Sequence, residues 1–164
     1  MRVRRVWFLT FLFLVAVSAP ASADDDAARL FDLLKGGWIA QDADVVDMGH
    51  CIAEESVKLQ VDVRRLEKGR IVGTYTESAG RRAAYRACEG LGAYEAEYAF
   101  SIDVPASGAA TGSPLIAALK LLNCRPERHP MCLAAEPDLM HPVAPPSKHG
   151  SPLLFGGVAF SRAR

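Results

Sequence analysis

Residues 94–104 read YEAEYAFSIDV, and the alternation of apolar and polar side chains in this stretch decides the fold class. One face of the pattern is apolar and largely aromatic: Tyr94, Ala96, Tyr98, Phe100, Ile102 and Val104. The residues between them are mostly charged or polar, which is typical of an antiparallel strand with one buried and one solvated face. The stretch therefore predicts a mainly β protein whose tyrosine-bearing face points inward.

The same period of two extends upstream, where residues 57–64 (VKLQVDVR) alternate valine and leucine with charged or polar residues. Residues 67–69 (EKG) predict a turn and residues 70–77 (RIVGTYTE) a return strand, so the two strands form a hairpin. We expect residues 78–82 to turn again and residues 83–88 to form a short third strand. The region is predicted to be an antiparallel meander.

Beyond residue 105 the pattern changes. Ser113 followed by Pro114 is a favourable helix start, and leucine and isoleucine recur at helical spacing up to residue 122, so we expect a helix over 114–122. Residues 123–152 are rich in proline and have no clear period, which predicts a mostly irregular excursion. Residues 153–161 (LLFGGVAFS) predict a closing strand with a glycine kink, so we count five or six strands in all.

The first 23 residues have the three parts of a cleavable signal peptide. Three arginines precede an uncharged apolar run over residues 6–17, and residues 21–23 (ASA) supply a small-x-small cleavage site. A spanning helix needs about 20 apolar residues, so a shorter run favours cleavage over anchoring. We therefore expect residues 1–23 to be removed, and residues 24–164 to form a single globular domain that is periplasmic or secreted.

Removal of the signal changes the charge of the protein. The whole chain has 19 Lys and Arg against 19 Asp and Glu, and three arginines leave with the signal, so the mature domain has a net charge of −3. A general nucleic-acid binder would show a basic excess, so this class is excluded. We expect a monomer that meets a membrane only during export.

The chain has four cysteines, Cys51, Cys88, Cys124 and Cys132, all beyond the signal. An even number in an oxidising compartment predicts two disulfides, for which three connectivities are possible. A short, proline-bounded loop separates Cys124 from Cys132 and favours that pair. Cys51 with Cys88 then follows.

A short predicted helix over residues 27–35 runs into Gly36-Gly37-Trp38 at the start of the first strand. This arrangement resembles the lipocalin-like (calycin-type) barrels, which begin with a helical turn and a G-x-W motif. The resemblance implies an up-and-down barrel with a cup for a small apolar ligand. It also implies that an arginine on the last strand, here Arg162, packs over Trp38. The helix expected over 114–122 leaves an alternative open, an α+β fold in which that helix covers an open antiparallel sheet.

Two sets of residues are candidates for binding. The first is the aromatic set Tyr75, Tyr94, Tyr98 and Phe100. If the sheet curls into a cup, these side chains form a ligand wall, and binding of a small apolar ligand is the leading hypothesis. The second is the arginine set Arg81, Arg82 and Arg86. Arginine suits carboxylates, so the alternative is a protein-interaction or inhibitor module that acts through these arginines and the proline-rich excursion.

Copper binding is a third alternative. Sulfur and imidazole groups that suit copper occur in two clusters, Met48, His50 and Cys51, and then Met131, Cys132, Met140 and His141. Cysteines in disulfides are no longer thiolate ligands, however, and methionine also fills gaps in cores. We therefore expect no metal and no other cofactor.

The sequence contains no nucleophile elbow, no zinc-protease motif and no phosphate-binding glycine loop. Glu95 and Glu97 share a strand face about 7 Å apart and could act as an acid–base pair. The alternation makes that face the solvated one. We predict no enzymatic activity.

Overall fold

The protein is described by a computed structural model over residues 23–47, 52–83, 92–105 and 115–164. These residues form two short helices and eight strands. In chain order the elements are α1 Ala23–Leu34, β1 Gly36–Asp47, β2 Ile52–Glu67, β3 Arg70–Ala83, β4 Tyr94–Asp103, β5 Leu115–Arg125, α2 Pro130–Leu133, β6 Asp138–Ala144, β7 Leu153–Phe155 and β8 Val158–Arg162.

The eight strands form a closed barrel. Each strand pairs antiparallel with the next one in sequence. The barrel closes where β8 pairs with β1, with Trp38 opposite Arg162 and Ile39 opposite Ser161. The prediction of a mainly β antiparallel barrel with one or two short helices is confirmed, and the open α+β sheet is not the fold of this chain.

The core is the inside of the barrel together with one face of α1. Ala27, Leu30 and Leu34 recur at helical spacing on α1 and are buried. The helix therefore packs its apolar face against the barrel end where β1 starts. Trp38, Phe160 and the other largest buried side chains lie in the same continuous cluster.

The helix predicted over 114–122 is wrong, since the described part of this stretch is strand β5. Leu115, Ala117 and Leu119 are buried, whereas the residues between them are exposed. The leucines fit a helical period and a period of two equally well, and alanine does not discriminate between them. Pairing with both β4 and β6 decides in favour of the strand.

The turn predicted at residues 78–82 is also wrong. Strand β3 continues without interruption to Ala83 and pairs with β2 as far as Ala53. Serine, alanine and glycine in this stretch suggested a turn, but a long neighbouring strand supplies the hydrogen bonds that keep it extended. Residue 83 ends β3, and residues 84–88 of the predicted third strand lie outside the described residues.

The proline-rich excursion is more regular than predicted. It contains α2 and strand β6, which pairs with β5 along its length despite Pro142. The single closing strand predicted over 153–161 is a hairpin of β7 and β8. Gly156 and Gly157, with φ of +59° and +85°, make its two-residue turn, a backbone conformation that favours glycine.

Several predicted features lie outside the described residues and stay predictions: the signal peptide up to residue 22, Met48, His50, Cys51, Arg86 and Cys88. Within the described residues, neither helix is long and apolar enough to cross a membrane.

Candidate functional site at the open end of the barrel

One end of the barrel is shut by α1 and by a contact between the first and last strands. The guanidinium carbon of Arg162 lies 4.6 Å from the centroid of the Trp38 ring. Arg162 also donates hydrogen bonds to the carbonyls of Lys35 (2.7 Å) and Leu33 (2.8 Å) at the end of α1. The indole nitrogen of Trp38 donates to the Leu34 carbonyl at 2.7 Å. The contact expected between Arg162 and Trp38 is therefore confirmed.

Above this closed end, packed aromatic side chains fill the barrel. Tyr75 stacks on Phe155 with centroids 5.5 Å apart, and it contacts Tyr98 at 6.0 Å. Phe100 meets Phe155 edge-on at 5.6 Å. Tyr75, Tyr98 and Phe100 are only 7%, 4% and 3% exposed, so three of the four predicted ligand-wall residues belong to the core. They form a floor, which we call the aromatic floor.

Beyond the aromatic floor, the inward-facing side chains become accessible to solvent. Alternation along β1 to β4 also points Ala79 and Ala96 inward, and both are buried. Other inward side chains at this level are half-buried or exposed, and they include these five: Asp42, Val57, Leu59, Glu77 and Tyr94. We call this set the mouth. The opposite wall is low, because β7 and β8 have three and five residues where β1 to β3 have at least twelve. Over the described residues, the barrel therefore forms a shallow cup whose low side is at β7 and β8.

The mouth contains one polar pair. The hydroxyl of Tyr94 on β4 donates a hydrogen bond to the carboxylate of Glu77 on β3. Glu77 is the inward residue next after Tyr75 on β3, and its cross-strand neighbours are Leu59 and Ala96. The strand predicted from sequence ends at Glu77, and Glu77 was not among the predicted site residues. The alternation through Tyr75 was the signal that could have identified it.

The ring of His129 stacks against the ring of Tyr94. The two rings stack with centroids 5.0 Å apart and planes 27° from parallel. Nδ1 of His129 accepts a hydrogen bond from the Met131 backbone N–H at 3.2 Å and so caps α2. Because Nδ1 accepts, Nε2 carries the proton and donates to the Gly92 carbonyl at 3.0 Å. His129 thus fixes the position of one wall of the mouth, a role that the sequence did not suggest.

The phenols near Glu77 are held in the neutral form. Burial, followed by the hydrogen bond and charge of Glu77, raises the pKa of Tyr94 well above its usual range. Burial and the same carboxylate also raise the pKa of Tyr75 and of Tyr98. A neutral phenol keeps its O–H proton and can donate it. These groups therefore bind by hydrogen bonding and through their ring faces.

The predicted disulfide between Cys124 and Cys132 is present, with Cα atoms 5.4 Å apart. It ties α2 to the end of β5, directly behind His129 and Tyr94. A disulfide is consistent with an oxidising compartment outside the cytoplasm.

The second predicted copper cluster is not brought together. Met140 is 67% exposed on the outer face of β6, whereas His141 points inward and lies edge-on to Tyr75 and Phe155. Cys132 is in the disulfide. Within the described ranges, no group of three or more His, Cys, Asp and Glu side chains could hold a metal ion.

Of the other predicted site residues, the two glutamates lie outside the cup, and the arginines on β3 are described only by their backbone. Arg81 and Arg82 belong to β3, opposite Glu55 and Glu54, and only their backbone is described. Glu95 and Glu97 alternate with the inward residues of β4 and face outward, as predicted.

A groove of about 520 Å³ runs over the outside of the barrel, across β3, β4 and β5. Its floor consists of small side chains such as Thr74, Ala99 and Ala118, and its rim carries Arg70 and Lys120. Arg70 is already paired with Asp103 at 2.6 Å. The groove is therefore less distinctive chemically than the mouth.

The described residues define a class: an up-and-down β-barrel closed at one end by a helix, with a shallow cup at the other end. No protein-family model, no curated protein and no solved structure matches the chain.

Proposed function

We propose that this protein is an exported, non-catalytic, lipocalin-like binding protein that holds a small, mainly apolar ligand in the mouth of its barrel. The observation that carries the proposal is the change in exposure along the barrel axis. Side chains on the inner wall are buried near α1, yet Val57, Leu59 and Tyr94 on the same wall are accessible to solvent.

An accessible apolar inner wall is the feature that supports ligand binding rather than a purely structural barrel. Ligand sites are concave, mostly apolar and supplied with a few polar groups that orient the ligand. The mouth combines such groups, since Val57 and Leu59 are aliphatic, Tyr94 is aromatic, and Asp42 and Glu77 are charged. The aromatic floor limits the depth of the cup, so the ligand is small and lies near the rim.

The proposal departs from the sequence-based hypothesis in one respect. Tyr75, Tyr98 and Phe100 were expected to form the wall of a cavity, but their burial supports a role as the floor beneath the ligand. Tyr94 is the one aromatic residue of the predicted set that is accessible from the mouth. We therefore propose Tyr94, Val57 and Leu59 as the principal contacts.

A fluorescence titration with the neutral apolar probe N-phenyl-1-naphthylamine tests this function. The mature protein should bind the probe saturably and increase its emission. Val57→Trp should weaken binding about tenfold or more, because the larger side chain fills the mouth. The matched control is Val45→Trp on β1, at a position 62% exposed on the outside of the barrel.

Equal binding by the wild type and both variants would show that the probe does not enter the mouth. Absence of saturable binding to the wild type would contradict the proposed function itself. Retention of binding by Val45→Trp together with its loss in Val57→Trp would support it.

The exposed side chains of the excursion favour a second candidate function, interaction with another protein. Leu133 is 74% and Met131 45% exposed on α2, close to the disulfide. Apolar side chains held rigidly at a surface suit a protein interface. Replacing both residues by serine should abolish capture of any partner and leave probe binding unchanged.

A further inference from the structure

The Glu77 carboxylate lies on the inner wall of the barrel among apolar neighbours. It is half-buried, and the residues beside it across the sheet are Leu59 and Ala96. Withdrawing a carboxylate from water costs free energy unless donors replace the lost hydration. A barrel with only a structural role would be more stable with an aliphatic residue at this position. The charged side chain therefore indicates a binding role.

The hydrogen bond from Tyr94 satisfies only part of this carboxylate. An ionised carboxylate has two oxygens and about four acceptor positions, and a phenol donates a single hydrogen bond. Glu77 is also accessible from the mouth. The Glu77 carboxylate can therefore accept a further hydrogen bond from a donor on a bound molecule.

The rings around Glu77 suit a positively charged group. The carboxylate raises the pKa of Tyr75, Tyr94 and Tyr98, so it lies within electrostatic range of all three phenols. The face of an aromatic ring attracts cations, and this attraction strengthens where water is partly excluded. Tyr75 stacks on Phe155 and Tyr98 is buried, so it is the half-buried Tyr94 ring beside the carboxylate that adds a second feature which recognises ammonium groups.

Other charges near the inner wall also favour a cationic ligand. Asp42 and Glu55 are inward positions nearer the rim, and the register sets one arginine, Arg81, opposite Glu55. Glu136 adds negative charge near Tyr98. Among the described side chains, the inner wall here carries three carboxylates, Asp42, Glu55 and Glu77, and this acidity disfavours an anionic ligand and attracts a cation.

We infer that the ligand held in the mouth is an amine, whose ammonium group donates hydrogen bonds to Glu77 while its apolar body lies against Tyr94 and the aromatic floor. This inference rests on the proposed function and names the class of ligand for the same site.

Calorimetric titration with three indole compounds of similar size tests the inference. Tryptamine is cationic at pH 7, tryptophol is neutral and indole-3-propionate is anionic. The wild type should bind tryptamine about tenfold or more tightly than tryptophol, since a charge-assisted hydrogen bond is stronger than a neutral one. The anion should bind most weakly.

Glu77→Gln should remove the preference for tryptamine over tryptophol, because the neutral amide no longer attracts the ammonium group. The matched control is Glu97→Gln on β4, which alters a carboxylate on the outer face of the barrel and should keep the preference. The wild-type series tests the inference even if a variant fails to fold.

A wild type that binds tryptophol as tightly as tryptamine would overturn the inference, as would a Glu77→Gln variant that still prefers the amine. If the neutral probe N-phenyl-1-naphthylamine binds in either case, the proposed function is retained and only the assignment of the ligand as a cationic amine is rejected. If neither the amine nor that probe binds, both are overturned.

Discussion

Arg162 lies across the face of Trp38, with its guanidinium carbon 4.6 Å from the ring centroid. The two residues are also direct partners in the register that closes β8 onto β1. Because Arg162 donates to the carbonyls of Leu33 and Lys35 as well, one side chain joins the last strand, the first strand and the end of α1. The closed end of the cup depends on this contact.

Arg162→Ala should lower the free energy of unfolding by about 2 kcal/mol, through loss of a cation–π contact and of two charge-assisted hydrogen bonds at the end of α1. Guanidinium denaturation followed by Trp38 fluorescence measures the change. Arg164→Ala, at an exposed position two residues further on, should have almost no effect. An equal effect of both substitutions would contradict the role of Arg162.

Gly73→Ala should destabilise the barrel by about 3 kcal/mol or more, since overpacking with a backbone clash is among the most costly changes. An added Cβ would lie 2.1 Å from the Asp62 carbonyl oxygen and 2.7 Å from Cζ of Phe100. This close approach occurs where β2 contains a bulge after Val63.

The control for this prediction is Gly92→Ala, where an added Cβ would meet no atom within 4 Å. Thermal unfolding of both variants should show a large loss for Gly73→Ala and little change for Gly92→Ala. A Gly73→Ala variant as stable as the wild type would mean that β2 and β3 are further apart than described.

The Cys124–Cys132 disulfide should contribute about 2.5 kcal/mol, the loop-closure value for a short loop. The double variant Cys124→Ser and Cys132→Ser should lose this amount in urea denaturation while keeping the far-ultraviolet spectrum of the barrel. Peptide mapping without reduction should find this pair, and it should find Cys51 joined to Cys88. Four free thiols in protein taken from its own compartment would refute both pairings.

Stability should fall as the pH rises above about 10. Burial, with the charge of Glu77, raises the pKa of Tyr75, Tyr94 and Tyr98 in the folded protein, whereas the unfolded chain ionises near the usual value. Above that value the unfolded state has lost protons that the folded state keeps, so unfolding becomes easier. Each buried tyrosine adds at most about 1.4 kcal/mol per pH unit, and the partly solvated Tyr94 adds less.

Urea denaturation at pH 8, 10 and 11 measures this dependence, and absorbance at 295 nm follows ionisation of the phenols. At most one of the four tyrosines should titrate near pH 10 in the folded protein. Tyr94→Phe should make the loss of stability less steep. Equal stability at pH 8 and pH 11 would contradict the burial of these phenols beside a carboxylate.

The strands with clear alternation were predictable from sequence because each has one apolar and one polar face. Residues 94–104 and 57–64 are examples, and both lie in long strands of the barrel. Strand β5 was missed because Leu115 and Leu119 satisfy both periods. Strand β6 was missed because Pro142 interrupts its pattern, although the pairing with β5 tolerates it.

The candidate site was predictable only in part, for a related reason. A period of two identifies which side chains face inward, but it does not identify the depth at which each one lies. Tyr75 and Tyr94 therefore looked equivalent, although one belongs to the floor and the other to the mouth. That depth depends on α1, which covers the closed end, and on Phe155 and Phe160 of the β7–β8 hairpin, which pack in the core.

Native mass spectrometry of the protein purified from its own compartment tests the central claim most directly. Binding in the mouth predicts a mass that exceeds the mass of the chain by that of one small organic molecule, which Val45→Trp retains and Val57→Trp loses. A wild-type chain that carries no small molecule, or a Val57→Trp variant that retains it, would contradict binding in the mouth.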